Sequence, residues 1–509
     1  MPQSPTDPER VPVVIASGQA IERDELVSPV DLMVRACEAA LADVPLLRDR
    51  IDRLTVVDIM TKGGPAPATE LADRLGLGSD VTREVTTVGG NTPQWLVSRA
   101  ASEIATGRLS VTLVAGAEAI RSSRARRAQG LPRDLGRTDL PPDAVVGDDL
   151  PGFGPAELAA ALLAPVHVYP LFESVLASRA GNDAAAQRVV LGRLMAPFTA
   201  VAATHPFAWF GEERSATDIA TPTPDNRIVC EPYTKRMTAF LGSDQSAALV
   251  VCSLAAARRA GVADRAVFVW SGAEAVDVRF VSQRADPGRS PAIAAAGDAL
   301  FASTSAAARR TVGIDDIDRM DIYSCFPSAV QLATTALGIA PDDARGLTVT
   351  GGLPYFGGPG NNYTTHGIAT MCDLLREDGG TRLGLATGLG WFVTKHALGI
   401  YGSTPPPGGF RRGDTTGAQA AIDATAVGVA DALPAPESAT VVAATVWRDS
   451  DGTAAGAPVI ARLDDGRHMA LTPADDEVTA AMGALDVPGL VGGSVVVQAG
   501  EPRYRLAER

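Results

Sequence analysis

Apolar residues in the first 119 positions alternate between short continuous runs and runs with helical spacing. The stretch Val11–Ser17 predicts a buried strand. Ser28 can cap a helix, Pro29 suits its first position, and apolar residues then recur at helical spacing up to Leu41. The segments "DRLTVVDI", "TPQWLVSRAASEIATG" and "LSVTLVAGAEA" predict a strand, a helix and a second strand. Alternating strands and helices are typical of an α/β fold with a largely parallel sheet.

The same order of elements returns in the second part of the chain. "RAVFVWSGAEA" and Ile317–Phe326 predict strands, and "SPAIAAAGDALFASTSAAARRTVG" and "PSAVQLATTALGI" predict helices. At about 120–240, Pro, Asp and Arg are frequent and helices such as Asp183–Met195 are interspersed, which predicts a long insertion that could fold over a site. We interpret the chain as two α/β halves, residues 10–255 with the insertion and residues 256–402.

The pattern changes after residue 402. "GSTPPPGGFRRGDT" is rich in Pro and Gly and predicts a linker at 403–415. Residues 416–509 then contain short alternating strands separated by Asp-Gly turns. This pattern predicts an additional all-β domain, interpreted as a five-stranded barrel of the OB type.

Composition narrows the classes of function. The 509 residues carry a formal charge of −14, which argues against nucleic acid and anionic membrane surfaces as partners. The five cysteines are scattered without CxxC spacing, so we expect neither disulfides nor a zinc site, and a reducing, cytoplasmic location. The N-terminus lacks the build of a signal peptide, and no apolar run reaches the length of a membrane span.

The four segments "ASEIATGRLSVTLVAGAEA", "SDQSAALVVCS", "IYSCF" and "TGGLPYFGGPGNN" resemble the thiolase superfamily, and specifically its thiolase-like type 1 branch with an extra C-terminal domain. "ASEIATGRLSVTLVAGAEA" is similar to the helix and strand after the thiolase nucleophile, and "SDQSAALVVCS" to the thiolase "SDGAAALVL" segment. "IYSCF" stands where the family has its NEAF or HDCF motif, and "TGGLPYFGGPGNN" where it has GG…GHP. The resemblance implies a duplicated, layered thiolase fold of two βαβαβαββ halves with a loop-domain insertion and the OB-like domain.

The residues that thiolases use for chemistry are replaced. By the resemblance, the nucleophilic cysteine corresponds to Gly90, the GHP histidine to Gly358 and the cysteine of the C-x-G turn to Gly388. Tyr323 stands at the polar residue of the NEAF or HDCF motif. No cysteine lies within thirty residues of Gly90, so we do not expect ordinary covalent thiolysis. The small residues before the predicted helix at "TPQ" predict instead a roomy tunnel end at a helix N-terminus, suited to an anion or a carbonyl oxygen.

Two residues are candidates for catalysis. A phenol at Tyr323 can donate a hydrogen bond to a thioester carbonyl, and His366 lies near enough to the lost histidine position to replace that base. The alternatives are that Tyr323 is a buried tyrosine with a satisfied hydroxyl and that His366 starts a helix. We expect Cys325 to be a small core residue, and we expect His396 to pack in the core, with a catalytic role as its alternative.

Further polar residues are candidates for substrate binding. Lys235 and Arg236 could meet a phosphate of CoA or form a solvated surface pair. The loop asparagines could face a ligand or satisfy loop backbone. The full set is Asn91, Lys235, Arg236, Tyr355, Asn361, Asn362 and Tyr363.

By resemblance, the expected ligand is an acyl-CoA thioester, with no tightly bound cofactor and no metal. We expect an acyltransferase-family protein that handles the thioester non-covalently in lipid or sterol metabolism. One alternative is a retro-aldol lyase on a β-hydroxyacyl-CoA that uses Tyr323, similar to the steroid side-chain aldolases, which work with an OB-fold partner. The other alternative is a non-catalytic binding or scaffold protein. Both a monomer and a homodimer are compatible with the sequence.

Overall fold

The computed structural model describes residues 7–61, 64–134, 136–378 and 380–507. The first half begins as the hydrophobic pattern predicts. Ser28 caps the first long helix by accepting from the Asp31 amide, Asp31 returns the bond, and Pro29 opens the helix. The elements in chain order are β1 (Pro12–Ile21), α1 (Pro29–Ala42), β2 (Arg53–Val56), α2 (Pro67–Arg74), β3 (Thr82–Thr86), α3 (Thr92–Ala105) and β4 (Val111–Ala119).

The insertion is mainly helical. Its helix over Asp183–Met195 is confirmed and continues to Thr204. The elements are α4 (Ile120–Ala128), β5 (Ala144–Val146), α5 (Pro155–Ala159), α6 (Pro165–Ala180), α7 (Ala184–Thr204), α8 (Ala216–Ala220), β6 (Ile228–Cys230) and β7 (Tyr233–Thr234).

The chain then returns to the first half with β8, and the second half follows from residue 256. The elements in this part of the chain are β8 (Asp244–Ser253), α9 (Leu254–Arg259), β9 (Val267–Val276), α10 (Pro291–Ala308), β10 (Arg319–Asp321), α11 (Pro327–Leu337), α12 (Tyr363–Glu377), β11 (Leu383–Gly390), β12 (Lys395–Gly402) and β13 (Arg411–Arg412). The strand predicted over Ile317–Phe326 is wrong beyond Asp321. The Ile322 amide donates to Leu347 O and the Tyr323 amide to Thr387 Oγ1, because the chain leaves the sheet here to enter α11.

Both halves join in one eleven-stranded sheet, in the order β10-β11-β12-β9-β1-β8-β4-β2-β3-β5, with β13 beside β9. The expectation of a largely parallel sheet is wrong for its centre. The pairs β11–β12, β12–β9, β9–β1, β1–β8 and β8–β4 are antiparallel, whereas parallel pairs lie on the flanks and between β13 and β9. The reason is that β12 follows β11 through a tight turn and β8 enters the sheet only after the insertion.

Two helices lie between the sheet halves. α3 and α12 contact each other, and both contact β8 of the first half and β11 and β12 of the second. α1 covers the outer face of the first half and α10 that of the second. The predicted layered, duplicated α/β fold is confirmed. The layering brings the N-terminus of α3 against the β11–β12 turn, although 300 residues separate them in sequence.

The C-terminal region forms the predicted five-stranded closed barrel, in the order β14-β17-β18-β20-β19. Two short helices accompany the strands. The elements are α13 (Thr416–Asp423), β14 (Glu437–Ala444), β15 (Trp447–Arg448), β16 (Ala454–Gly456), β17 (Val459–Arg462), β18 (His468–Pro473), α14 (Asp476–Gly483), β19 (Ser494–Val497) and β20 (Arg503–Leu506). The Pro/Gly segment before it, expected to be only a linker, contributes β13 to the large sheet.

The barrel domain is docked onto the insertion rather than tethered to it. β15 pairs with β6, so that one four-stranded sheet is shared between them. Trp447 stacks on His167 with ring centroids 4.0 Å apart, and the buried Glu231 pairs with both Arg188 and Arg448 at 3.0 and 3.1 Å. Stacking and buried ion pairs therefore fix the barrel against the α/β body.

Candidate functional site

The space beside Gly90, the residue predicted at the nucleophile position, is occupied by a tyrosine side chain. Gly90 lies in the turn between β3 and α3. A Cβ atom on Gly90 would overlap the Tyr323 hydroxyl and would lie 2.8 Å from Tyr323 Cζ and 2.6 Å from Leu389 O. Any larger side chain at residue 90 therefore competes with the phenol for the same space. The expectation of a roomy tunnel end is wrong, because the ring of Tyr323 fills it.

What remains of the tunnel is a cavity of about 10 Å³, lined by Tyr323, Gly388, Leu389 and His396 among others. A cavity of this size holds about one water molecule. A substrate can therefore reach Tyr323 only if the surrounding segments move.

The phenol of Tyr323 is buried, with 7% of the residue exposed. Burial raises the pKa of its hydroxyl well above the usual range, and the nearby Cys325 thiol adds to the shift. The hydroxyl makes no hydrogen bond with the residues that the structure describes. Tyr323 thus stays protonated at neutral pH and is available as a hydrogen-bond donor.

Close backbone packing explains the glycine at residue 388. A Cβ there would lie 2.9 Å from Asn91 Cα and 3.0 Å from Gly90 O. Strand β11 therefore rests directly on the turn that leads into α3. Thr364 Oγ1 donates to Gly90 O at 2.7 Å and ties α12 to the same turn. The structure thus brings Gly90, Asn91, Tyr323 and Gly388 together, as the resemblance implies for their counterparts.

Asn91 immediately precedes α3. It is buried, and its Oδ1 has no hydrogen-bond partner among the described residues. It makes no side-chain cap, so the amides at the start of α3 keep their partial positive charge. Its free acceptor atom lies against the backbone of Gly89 and Gly390, next to the turn that holds Gly90.

The asparagines of the loop before α12 serve the backbone. Asn361 accepts from the Gly89 amide and donates to Asp58, and Asn362 donates to Gly116 O at 2.7 Å. Gly358 packs against Phe240, whose carbonyl would lie 3.1 Å from an added Cβ. These residues shape the loop around the site. For the asparagines, this is the alternative given by the sequence, in which they satisfy loop backbone instead of facing a ligand.

Tyr363 and His366 lie on the same helix but in different surroundings. Tyr363 stands edge-on to Tyr323, with ring centroids 5.5 Å apart, and its hydroxyl bonds Thr350 Oγ1 at 2.6 Å. His366 is fully buried, its Nδ1 is 2.7 Å from Gln19 Oε1, and its ring contacts Phe356. Burial lowers the pKa of His366 to about 3, so the ring is neutral. Tyr363 and Phe356 separate it from Tyr323, so the structure does not bring it to the lost histidine position.

The predicted phosphate contacts lie apart from this cluster. Lys235 is exposed, whereas Arg236 is half-buried and donates to Asp218 O at 2.9 Å. Tyr355 is buried near Arg236, its hydroxyl lacks a partner among the described residues, and burial raises its pKa. None of the three contacts Gly90 or Tyr323.

One pair of residues beside Tyr323 is better placed for acid–base chemistry than the sequence indicated. His396 lines the same small cavity, and its Nε2 lies 3.1 Å from Asp277 Oδ2. Both residues are buried. Burial acts to raise the pKa of Asp277, but the contacts with His396, Arg284 and Ser290 together outweigh it and the net shift is downward, so the carboxylate stays ionised and orients the ring. The register of the β11–β12 hairpin could have indicated this position, because it sets His396 opposite Leu389, next to Gly388.

The turn between β11 and β12 is strained and covered. Trp391 and Val393 have φ of 57° and 51°, a conformation that costs non-glycine residues free energy and that is concentrated at functional sites. The buried Lys395 donates to Val88 O at 2.6 Å and Asp148 O at 3.0 Å. Residues 148–153 thereby close over the turn, with Phe153 edge-on to Trp391 at 5.9 Å. We call residues 148–153 the cover segment.

Two classes of site lack support in the described part of the chain. Among residues 7–61, 64–134, 136–378 and 380–507, no three His, Cys, Asp or Glu side chains cluster in a way that could hold a metal ion. Within the same residues, no helix has the length and apolar character needed to cross a bilayer.

Comparisons with known proteins agree with the fold. No family model and no curated protein matches the chain. A monomeric SCP2-thiolase-like protein type 1 from Mycobacterium smegmatis is 29% identical over 99% of this chain and 100% of its own, with a TM-score of 0.82. A Ltp2-ChsH2(DUF35) aldolase is 20% identical over 77% of this chain and 98% of its own, with a TM-score of 0.58.

The duplicated α/β body, in which Gly90, Tyr323 and Gly388 lie together, agrees with the resemblance to the thiolase superfamily. The match along almost the entire chain includes the C-terminal barrel domain. In fold and domain organisation the chain is similar to the SCP2-thiolase-like type 1 branch of that superfamily.

Proposed function

We propose that this protein binds an acyl-CoA thioester and acts on it without forming an acyl-enzyme. The observation that carries the proposal is the overlap between the Tyr323 hydroxyl and the space of a side chain on Gly90. A nucleophile and this phenol exclude one another, so the site has exchanged covalent chemistry for hydrogen-bond donation.

In this proposal Tyr323 donates to the thioester carbonyl oxygen. Its raised pKa keeps the proton on the phenol, which suits a donor and argues against a general base. The uncapped N-terminus of α3 adds partial positive charge on the same side. Together they would stabilise negative charge that develops on the thioester oxygen when an enolate forms.

The second candidate is a retro-aldol lyase on a β-hydroxyacyl-CoA. His396, oriented by Asp277, lines the cavity of Tyr323 and could take the proton of the β-hydroxyl. The bond between the α- and β-carbons then breaks, the β-carbon leaves as a ketone or aldehyde, and the electron pair forms the enolate that Tyr323 stabilises. Protonation of the enolate at its α-carbon gives the shortened acyl-CoA. One structurally similar protein is described as an aldolase, which agrees with this candidate.

Either reaction requires the site to open, because the cavity beside Tyr323 holds about 10 Å³. The cover segment is the element that would move. It is held by Lys395 at Asp148 O and by Arg279 at the Asp148 carboxylate, 2.7 Å away. Substrate binding would replace these contacts.

The test is turnover of a panel of acyl- and β-hydroxyacyl-CoA esters by the wild type and by Tyr323→Phe. We expect the variant to keep its fold and to lose about 10²-fold or more of the activity, as for loss of one oxyanion donor. Tyr504→Phe, in the barrel, removes a phenol that bonds Ala457 O and is the matched control. Unchanged turnover in Tyr323→Phe would refute the proposal. Release of a ketone or aldehyde would select the lyase, whereas binding without turnover of any ester would favour a non-catalytic binding protein.

We also propose that the protein is a monomer, as its relative from Mycobacterium smegmatis is described. The insertion strand β5 pairs with β3 and covers that side of the sheet. Light scattering coupled to size exclusion would test this, and a mass of twice 52.5 kDa would contradict it.

A further inference from the structure

A second cavity, far larger than the one beside Tyr323, lies at helix α4. Its volume is about 470 Å³, within the range of roughly 300–1,000 Å³ that is typical of small-ligand sites. Four arginines line it, namely Arg124, Arg126, Arg127 and Arg133. We call it the arginine cavity.

The charge of this cavity opposes that of the whole chain. Four arginines and one carboxylate, Asp134, line it, so its walls carry a net charge of +3, whereas the chain carries −14. Asp134 is already paired with Arg126 at 3.5 Å. Among the described residues, no carboxylate other than Asp134 lines the cavity, so the other three arginines meet no carboxylate there.

Two of the arginines have no partner. Arg124 and Arg127 are exposed, and neither makes a hydrogen bond or an ion pair with the residues that the structure describes. They lie three positions apart on α4 and therefore share a face, where like charges repel. Exposed guanidinium groups without a partner are available to donate to an anion such as a phosphate.

The floor of the cavity is apolar and rigid. Val27, Pro29 and Ala119 are buried there, and the Val27 amide donates to Ser122 Oγ at 3.0 Å. Leu131, with 42% of the residue exposed, lies at the rim. Arg133 donates to Thr61 O at 3.1 Å and is thereby fixed in the wall. The cavity thus combines fixed positive charge with an apolar surface on which a planar ring can lie.

We infer that the arginine cavity binds a nucleotide with two or more phosphate groups. Guanidinium groups match phosphate oxygens in bidentate geometry, and the net charge of +3 suits a ligand with several negative charges. The apolar floor would contact the base. The ligand could be a free nucleoside diphosphate or the nucleotide end of CoA, which share this chemistry. The inference does not rest on the proposed thioester chemistry at Tyr323.

The experiment is calorimetric titration of the full-length protein with ADP, CoA and inorganic pyrophosphate at low ionic strength. The test variant is Arg124→Gln with Arg127→Gln, and the control is Arg108→Gln with Arg462→Gln. All four arginines are exposed, and none has a side-chain partner among the described residues. Both variants remove two positive charges, so the control accounts for the change in overall charge.

We expect the wild type to bind ADP more tightly than pyrophosphate, and the test variant to lose about 10- to 100-fold in affinity while the control keeps it. If the affinity for CoA falls in the test variant together with the affinity for ADP, the natural ligand is the nucleotide end of CoA. ADP binding with CoA excluded from the cavity would identify a free nucleotide. Absence of ADP binding, equal affinity for ADP and pyrophosphate, or an unchanged affinity in the test variant would each overturn the inference. Tyr323→Phe should leave ADP affinity unchanged, so failure here is distinguishable from failure of the proposed function.

Discussion

The substitution Gly90→Ala, which adds one carbon atom, should lower the free energy of unfolding. The Cβ of Gly90→Ala would overlap the Tyr323 hydroxyl and would lie 2.6 Å from the main-chain oxygen of Leu389. The tyrosine can shift by a rotation of its side chain, but Leu389 is held in strand β11 between β10 and β12. Overpacking of a filled core typically costs about 1–3 kcal/mol, and a clash with backbone lies at the upper end. We therefore expect the free energy of unfolding to fall by about 2–3 kcal/mol.

Urea unfolding, followed by circular dichroism, measures this change. Gly211→Ala is the matched control, because an added Cβ at Gly211 meets no atom within 4 Å and residue 211 has no positive φ. We expect the control to match the wild type or to exceed it slightly in stability. Equal unfolding of Gly90→Ala and Gly211→Ala would refute the packing argument.

A double-mutant cycle separates the two clashes. Tyr323→Ala removes the ring but leaves Leu389 O in place. Gly90→Ala should therefore cost less in the Tyr323→Ala background, by about 1 kcal/mol, and still cost something. A coupling of zero would mean that residue 90 and Tyr323 do not share space.

Three further predictions concern buried groups. Burial raises the pKa of Glu118 from 4.5 to about 7, so the folded state retains a proton that the unfolded chain loses. Relative to Glu118→Gln, the wild type should therefore lose about 3 kcal/mol of unfolding free energy as the pH rises from 4.5 to 7. If urea unfolding gives the same stability difference between the two proteins at both pH values, the prediction is contradicted. Lys395→Met leaves Val88 O and Asp148 O without their donor. We therefore expect the free energy of unfolding to fall by about 2–4 kcal/mol and amide hydrogen exchange in the cover segment to become faster. Unchanged exchange there would show that Lys395 does not hold the cover segment. All five cysteines are buried, and burial raises the pKa of Cys325 to about 12, so a thiol reagent should label none in the native protein and five after denaturation; one rapidly labelled native thiol would be inconsistent with the structure.

Local signals predicted the elements that local physics determines. Ser28 and Pro29 start α1 because a cap and a proline at the first turn act within a few residues. The Asp-Gly pairs of the C-terminal region mark turns because Gly452 and Gly466 adopt φ of 91° and 87°. The closed barrel followed from strands of this length and spacing.

The candidate site could be predicted only in part, because its decisive contacts join distant residues. Gly90 and Tyr323 fit together, since the small residue makes room for the phenol. That relationship is a tertiary contact and leaves no spacing in the sequence. The sequence consequently predicted empty space where the structure is filled. The hydrogen bond between His396 and Asp277 was missed for the same reason, because its partners belong to β12 and to the residue after β9.

The central claim is that this chain has kept a thioester site and lost the covalent intermediate. Intact-protein mass spectrometry, after incubation with a saturating acyl-CoA ester and rapid acid quench, tests it most directly. The account predicts the unmodified mass at every time point, even while the ester is bound or consumed. A mass increase equal to the acyl group, on any of the five cysteines or on another side chain, would contradict it.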